Sequence, residues 1–159
     1  MKPMKASVKQ VVDALAAAGL EVEVQEFAAS TRTAEDAAAA LGVTVGQIVK
    51  SLVFLAGGQA VLALVSGSHR VDVDKMAELT GTTITRADAD TVRRLTGFSI
   101  GGVPPLGHES RLPTYCDPEL LGYDFVWAAA GTPNSVFAIS PARLVQLAEA
   151  QVADFCVSE

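Results

Sequence analysis

Lys50 follows the apolar turn Gln47-Ile48-Val49 and precedes Leu52-Val53-Phe54. A long cationic side chain there costs free energy unless its head meets water or a partner. Such a lysine either snorkels from a strand end or carries its charge to a ligand. A second stretch, Gly101-Gly102-Val103-Pro104-Pro105-Leu106-Gly107, combines glycines that admit close backbone approach with prolines that stiffen the path and remove donors. It can hold backbone N–H and C=O groups at fixed positions, as an oxyanion or hydroxyl site requires, or serve as a rigid connector. It is not a phosphate loop, since neither GxxxxGK[ST] nor GxGxxG occurs. His69 and His108 are the only histidines, and neither lies in a nucleophile elbow or a metal motif; His108 directly follows the loop. Ser51, Thr132, Asn134 and Ser135 offer groups that could orient a substrate hydroxyl, although Thr132-Pro133-Asn134-Ser135 suits a simple turn equally well. No serine, histidine and acid triad can be assembled. Cys116 and Cys156 form no CxxC pattern, so buried thiols are expected rather than a zinc site or a disulfide framework. No cofactor fingerprint is visible, and no cofactor is expected.

These residues need elements to hold them. Ser7 with Gln10 has the form of a capping box, and Val8, Val11, Val12 and Leu15 recur at helical spacing until Gly19. Val22 and Val24 alternate with Glu21 and Glu23 as in a half-buried strand running towards Phe27. Thr33 with Asp36 opens a helix through the alanine run that Gly42 closes, and Thr44 with Gln47 opens one short turn into Lys50. Apolar strands from Ser51 and from Gln59 flank Gly57-Gly58, a two-residue link suited to a tight hairpin; being apolar throughout, they should be covered on both faces. Helices start at Asp72 or Asp74 and at Asp88 or Asp90, with a strand at residues 82–85 between them. A strand is expected after Gly97, then the glycine and proline loop. Strands near residues 112–116, 123–129 and 135–139 and a helix opened by Ser140-Pro141 complete the chain. Hairpins mixed with helices predict an α+β protein with a mixed, strongly curved sheet and helices packed outside it.

At 159 residues the chain has the size of one domain, residues 1–159, and can bury a real core without staples. No apolar run reaches the roughly 18 residues of a membrane span, and Met1-Lys2-Pro3-Met4-Lys5 does not begin a leader, so a cytoplasmic address without membrane contact is expected. A net charge of −6 argues against tight unaided binding to nucleic acid, whose affinity rests on phosphate neutralisation.

Three stretches, taken in order, carry a resemblance: Ile48-Val49-Lys50-Ser51-Leu52-Val53-Phe54, then Thr96-Gly97-Phe98-Ser99-Ile100 running into the glycine and proline loop and His108, then Arg111-Leu112-Pro113-Thr114. With the Thr33-Ala34-Glu35-Asp36 and Arg70-Val71-Asp72 helix starts and the terminal Ser140-Pro141 helix, the chain resembles the YbaK/EbsC family, the prolyl-tRNA-synthetase-associated editing domains, in its free-standing form. The resemblance implies a barrel-like sheet and a pocket that hydrolyses the ester joining a mischarged amino acid to the tRNA 3′ end. It makes Lys50 the central lysine and Gly101 through Pro105 the family's GxxxP loop. Lys50 and Gly101 are then the catalytic candidates, with Phe27, Ser51, Gly102, Val103, Pro105, His108, Gly131 and Thr132 as substrate-binding candidates and no metal. Expected partners are the aminoacyl-tRNA 3′ end and a synthetase, prolyl or other. The branch that removes cysteine from proline tRNA carries an acidic residue shortly after the equivalent of Gly131, and Ser135-Val136-Phe137 has none, so the amino acid stays open among small residues. A non-catalytic module of the same fold, holding a nucleotide, an aminoacyl group or a synthetase surface, is the competing reading.

Overall fold

The computed structural model describes residues 5–27, 33–108 and 111–158. Helix α1 (Ala6–Ala17) buries Val8, Val11 and Leu15 on one stripe. It starts two residues earlier than the Ser7/Gln10 pattern suggests, with Lys5 at the cap and no side-chain cap bond. Gln10 is drawn off instead to donate to the Gly107 carbonyl at 2.9 Å, which ties the helix to the glycine and proline loop. Gly19, at φ +90°, ends it as expected: Leu20 N–H reaches Leu15 O and Gly19 N–H reaches Ala16 O, a Schellman closure. The first strand, β1 (Gln25–Glu26), is shorter and later than the Val22/Val24 alternation implies.

Helix α2 (Ala34–Leu41) is capped by the Thr33 side chain, which accepts from Asp36 N–H, and a single 3-10 turn (Val45–Gln47) carries the expected Thr44/Gln47 capping box. Strands β2 (Val49–Ala56) and β3 (Gln59–Ser66) form the hairpin; both turn glycines have positive φ, +59° and +86°, as a type I′ turn demands. Helix α3 (Val73–Thr80) is capped by Asp72, β4 (Ile84–Arg86) follows, and α4 (Ala89–Thr96) is capped by Asp88. No strand follows Gly97; the chain turns directly into the loop. The rest comprises β5 (Thr114–Cys116), a 3-10 turn (Pro118–Gly122), β6 (Val126–Ala129), β7 (Ser135–Ile139), α5 (Pro141–Ala148) and β8 (Gln151–Val152). Among the described residues no helix is long and apolar enough to cross a membrane.

The strands make two open sheets, β4-β2-β3-β5-β8 and β1-β7-β6. The α+β class with mixed pairing holds, since β5 runs parallel to β3 and β8 while the other pairs are antiparallel. The barrel does not: neither sheet closes or curls strongly. Closure needs long edge strands that pair, whereas β4, β8 and β1 are short, and among the described residues one parallel bridge, Ile48 to Trp127, joins the sheets. The hairpin is covered on both faces as its apolar sequence requires. Ala60, Leu62 and Leu64 enter one core with Val11, Phe98 and Phe137; Val61, Ala63 and Val65 enter another with Met76 and Phe155.

Candidate functional site

The seam between the two sheets opens into a cleft of about 530 Å³, lined by β2, the start of α2, Ile100, Gly101 and Val103, β6 and the start of β7. Its walls are largely small and aliphatic, among them Ala37, Val53, Ala87, Val103, Ala129 and Val136, while Lys50, Ser51, Glu35 and Arg86 bring polar groups to it.

The geometry of β2 explains why. The two-residue turn makes Ala56 and Gln59 a pair that exchanges hydrogen bonds, so even-numbered β2 residues give their backbone groups to β3 and odd-numbered ones turn theirs away. On that outer side β4 pairs only with Phe54, Leu55 and Ala56, so Ser51 lies beyond its end. Its Oγ is also buried without a hydrogen-bond partner. An orphaned buried hydroxyl costs about 1–3 kcal/mol, which makes Ser51 a place where a ligand atom would be welcome.

Lys50 leaves the opposite face of β2 and donates from Nζ to the His69 carbonyl at 2.5 Å. Burial pulls its ammonium below the ordinary lysine value of 10.5; Cys156, Glu35 and Asp117 oppose that shift, and Arg70 adds to it. His69 ends a tight turn after β3, its N–H donating to Ser66 O. Its Nδ1 lies 2.8 Å from Asp117 Oδ2, and the same oxygen accepts Ser66 N–H at 3.1 Å. Asp117 Oδ1 takes Glu119 N–H at 2.9 Å. Asp117-Pro118 has the local form of a helix start, but nothing in the sequence joins Asp117 to His69, which stands 48 positions away.

His69, Asp117 and Cys156 bring one nitrogen, one oxygen and one sulfur within 4.8 Å of one another. The carboxylate serves several donors here, burial pushes the Cys156 thiol up to about 12, so the sulfur carries its proton in this arrangement, and the Lys50 ammonium stands beside it.

Across the cleft, Gly101 takes φ +86°, a conformation that favours glycine, and Gly102 N–H closes a turn onto Ser99 O. Gly102 lies against the 131–133 segment so closely that a Cβ would stand 2.8 Å from the backbone of Thr132. Of the sequence candidates, Lys50, Ser51, Gly101 and Val103 line the cleft together. Gly102 supports that wall from behind. Thr132 is buried, with its hydroxyl 2.5 Å from Ser135 Oγ and bonded to Asn134, so it reaches the cleft through Ser135. Gly131 packs on the start of α1, where a Cβ would meet Ser7 O at 2.5 Å. Phe27 meets Asn134 through its backbone. Pro105 and His108 border a separate, smaller hollow; His108 Nε2 donates to Pro104 O at 2.7 Å and its ring stands edge-on to Phe98. Trp127, Arg86 and Ile100, which also line the cleft, carry no sequence pattern that marks them.

Comparison with known proteins supplies the context for this geometry. A crystal structure described as a candidate trans-editing enzyme for prolyl tRNA synthetase superposes with a TM-score of 0.94 at 49% identity, covering 98% of this chain and 100% of that one. A protein of Enterococcus faecalis (strain ATCC 700802 / V583) named as a candidate Cys-tRNA(Pro)/Cys-tRNA(Cys) deacylase, EbsC, is 27% identical over 129 residues, which is 80% of this chain and 79% of its own. A proline–tRNA ligase of Elusimicrobium minutum (strain Pei191) is 37% identical over 82 residues, 51% of this chain but only 14% of the ligase. The aminoacyl-tRNA editing domain pattern itself matches residues 28–147, and the chain belongs to that family.

Proposed function

We propose that this chain is a free-standing trans-editing hydrolase that cleaves the ester between a small, misplaced amino acid and the 3′ end of its tRNA, tRNA-Pro or a related one. The observation that carries the reading is the cleft itself: Lys50, an unpartnered Ser51 and the glycine at position 101 border one space whose walls are mainly small and aliphatic. A cleft of about 530 Å³ suits an aminoacyl group with its ribose, since ligand sites commonly span about 300–1,000 Å³.

An aminoacyl ester is already activated. Its hydrolysis needs a positioned water and a stabilised oxyanion more than a protein nucleophile. In this reading the backbone of residues 101–103 faces the ester or the free ribose hydroxyl, Lys50 holds negative charge at the terminal nucleotide or orients the aminoacyl group, and Ser51 takes a polar atom of the substrate. Wall size then sets selectivity, at about 1–3 kcal/mol for each methylene. The net charge of −6 fits a protein that meets tRNA briefly, or through a synthetase that presents it, in the cytoplasm.

The test is a panel of mischarged tRNAs incubated with the purified protein and with Lys50→Ala. The reading expects ester loss for one or a few small amino acids and little or none in the variant, with both proteins melting alike. A folded Lys50→Ala protein that deacylates at the parental rate would remove Lys50 from the site. A parent that binds aminoacyl-tRNA but hydrolyses none of the panel would put the non-catalytic module first.

A further inference from the structure

We infer that Asp117 and His69 form a positioning device for the Lys50 amine: the buried carboxylate clamps the turn that follows β3, and the carbonyl at the end of that turn holds the lysine head at the cleft. The inference rests on the deacylase reading for its consequence, but not for its geometry.

Asp117 is only 2% exposed, and a buried carboxylate is stable only when its oxygens are satisfied. Here Oδ2 accepts from Ser66 N–H and from His69 Nδ1–H, so one oxygen grips both ends of a four-residue turn. Oδ1 accepts Glu119 N–H, and Asp117 N–H donates to Leu64 O, which anchors the carboxylate to β3 and to the following 3-10 turn. Ser66 Oγ donates to Gly46 O at 2.8 Å and fixes the same turn from the side of the segment leading into Lys50. The His69 carbonyl therefore sits in a frame held on several sides, and it accepts Lys50 Nζ at 2.5 Å. A lysine stem is flexible and has rotamer entropy to lose, so an amine that must meet a substrate atom benefits from a fixed acceptor. His69 acts through its ring donor on Asp117 and its own carbonyl on Lys50. Neither residue needs to touch substrate.

The test compares His69→Ala, His69→Asn and Asp117→Asn, the asparagine at 69 keeping an N–H donor near the place of Nδ1. The first readout uses no tRNA: NMR relaxation of the Lys50 side chain in protein labelled at lysine, with Lys50→Met to assign the signal. The expected result is a rigid Lys50 head in the parent and in His69→Asn, and a head as mobile as exposed Lys9 in His69→Ala and Asp117→Asn. In deacylation, kcat should fall about tenfold in His69→Ala, with KM changing less, and recover to within about threefold in His69→Asn, as a misplaced group predicts. If Asp117→Asn does not fold, the two His69 variants decide the matter. A Lys50 head that stays rigid in His69→Ala, or is loosened equally by alanine and asparagine, overturns the inference. A parent with no deacylase activity defeats the functional reading and leaves the relaxation result to stand or fall alone.

Discussion

Adding one methyl group at Gly102 should damage this protein without putting a side chain into the cleft, by pushing on the segment that backs its wall. An alanine Cβ there would stand 2.8 Å from the Thr132 carbonyl carbon and Cα and 3.0 Å from its nitrogen, about 0.6 Å short of the 3.4 Å at which ordinary contact begins. The atoms it meets are backbone, so no side chain can swing aside. Either the glycine loop or the 131–133 segment must move by about half an ångström. Overpacking of this kind costs about 1–3 kcal/mol, and at about 2–4 °C per kcal/mol for a chain of this size the melting temperature should fall by about 2–12 °C. Because a displacement of about 1 Å at a reacting site costs on the order of 100-fold in rate, a loop pushed half as far should lose about tenfold in deacylation on the best tRNA of the panel. Gly101→Ala is the control. Its Cβ would meet nothing nearer than 3.7 Å, so its penalty is the left-handed backbone, about 1–2 kcal/mol, without a push on the facing segment. The assays are a thermal melt and an initial rate for each variant. A Gly102→Ala protein that melts and hydrolyses like the parent would show that the loop and the 131–133 segment are not packed against each other in the working state.

Three further outcomes follow from the same geometry. Ser51→Ala removes a buried hydroxyl that has no hydrogen-bond partner within the protein, so it should leave the melting temperature unchanged or raise it while lowering kcat/KM for the preferred substrate; a clear loss of stability would mean that the hydroxyl is bonded within the protein. Burial pushes both Cys116 and Cys156 up to about 12, so neither thiol should react with a thiol-alkylating reagent in the native protein at about pH 8, and both should react on unfolding; rapid labelling of the folded chain would contradict this. Burial also holds His108 below its ordinary 6.5, against the opposing effect of the Pro104 carbonyl, so the unfolded chain binds the proton first. Its contribution is intact above about 6.5 and is lost as the pH falls through the lowered value, and His108→Gln should flatten the stability profile on that acid side; parallel profiles would refute the assignment.

What the sequence showed well was what a few neighbouring residues decide. Thr33, Asp88 and Ser140 cap helices by reaching backbone three positions on, and Gly57-Gly58 sets a hairpin by its own φ angles, so each could be read in place. Gln10 shows the limit of that logic: its spacing to Ser7 matched a capping box, but a carbonyl 97 positions away claimed it. The candidate site divides the same way. Lys50 and the loop from Gly101 could be picked out from an odd charge in an apolar run and from a cluster of glycine and proline. Asp117 could not, because it becomes meaningful only when the end of β3 and the end of β5 lie side by side. The curl expected of the sheet failed for a related reason: residue alternation specifies which face a strand buries, but closure depends on how long the edge strands are, and β1, β4 and β8 are too short to zip the two sheets together.

That unzipped seam makes the width of the cleft a relation between two bodies rather than a property of either wall. Each sheet keeps its own pairing, and Ile48 and Trp127 act as the spacer where they touch. Ile48 also packs with Ala37 and Ala38 of α2, and Trp127 leans on the same group, so the spacer's thickness is set by side chains that themselves wall the cleft, with Ala38 behind them. Trimming or thickening them should retune which amino acid is accepted while leaving Lys50, Ser51 and the glycine loop untouched.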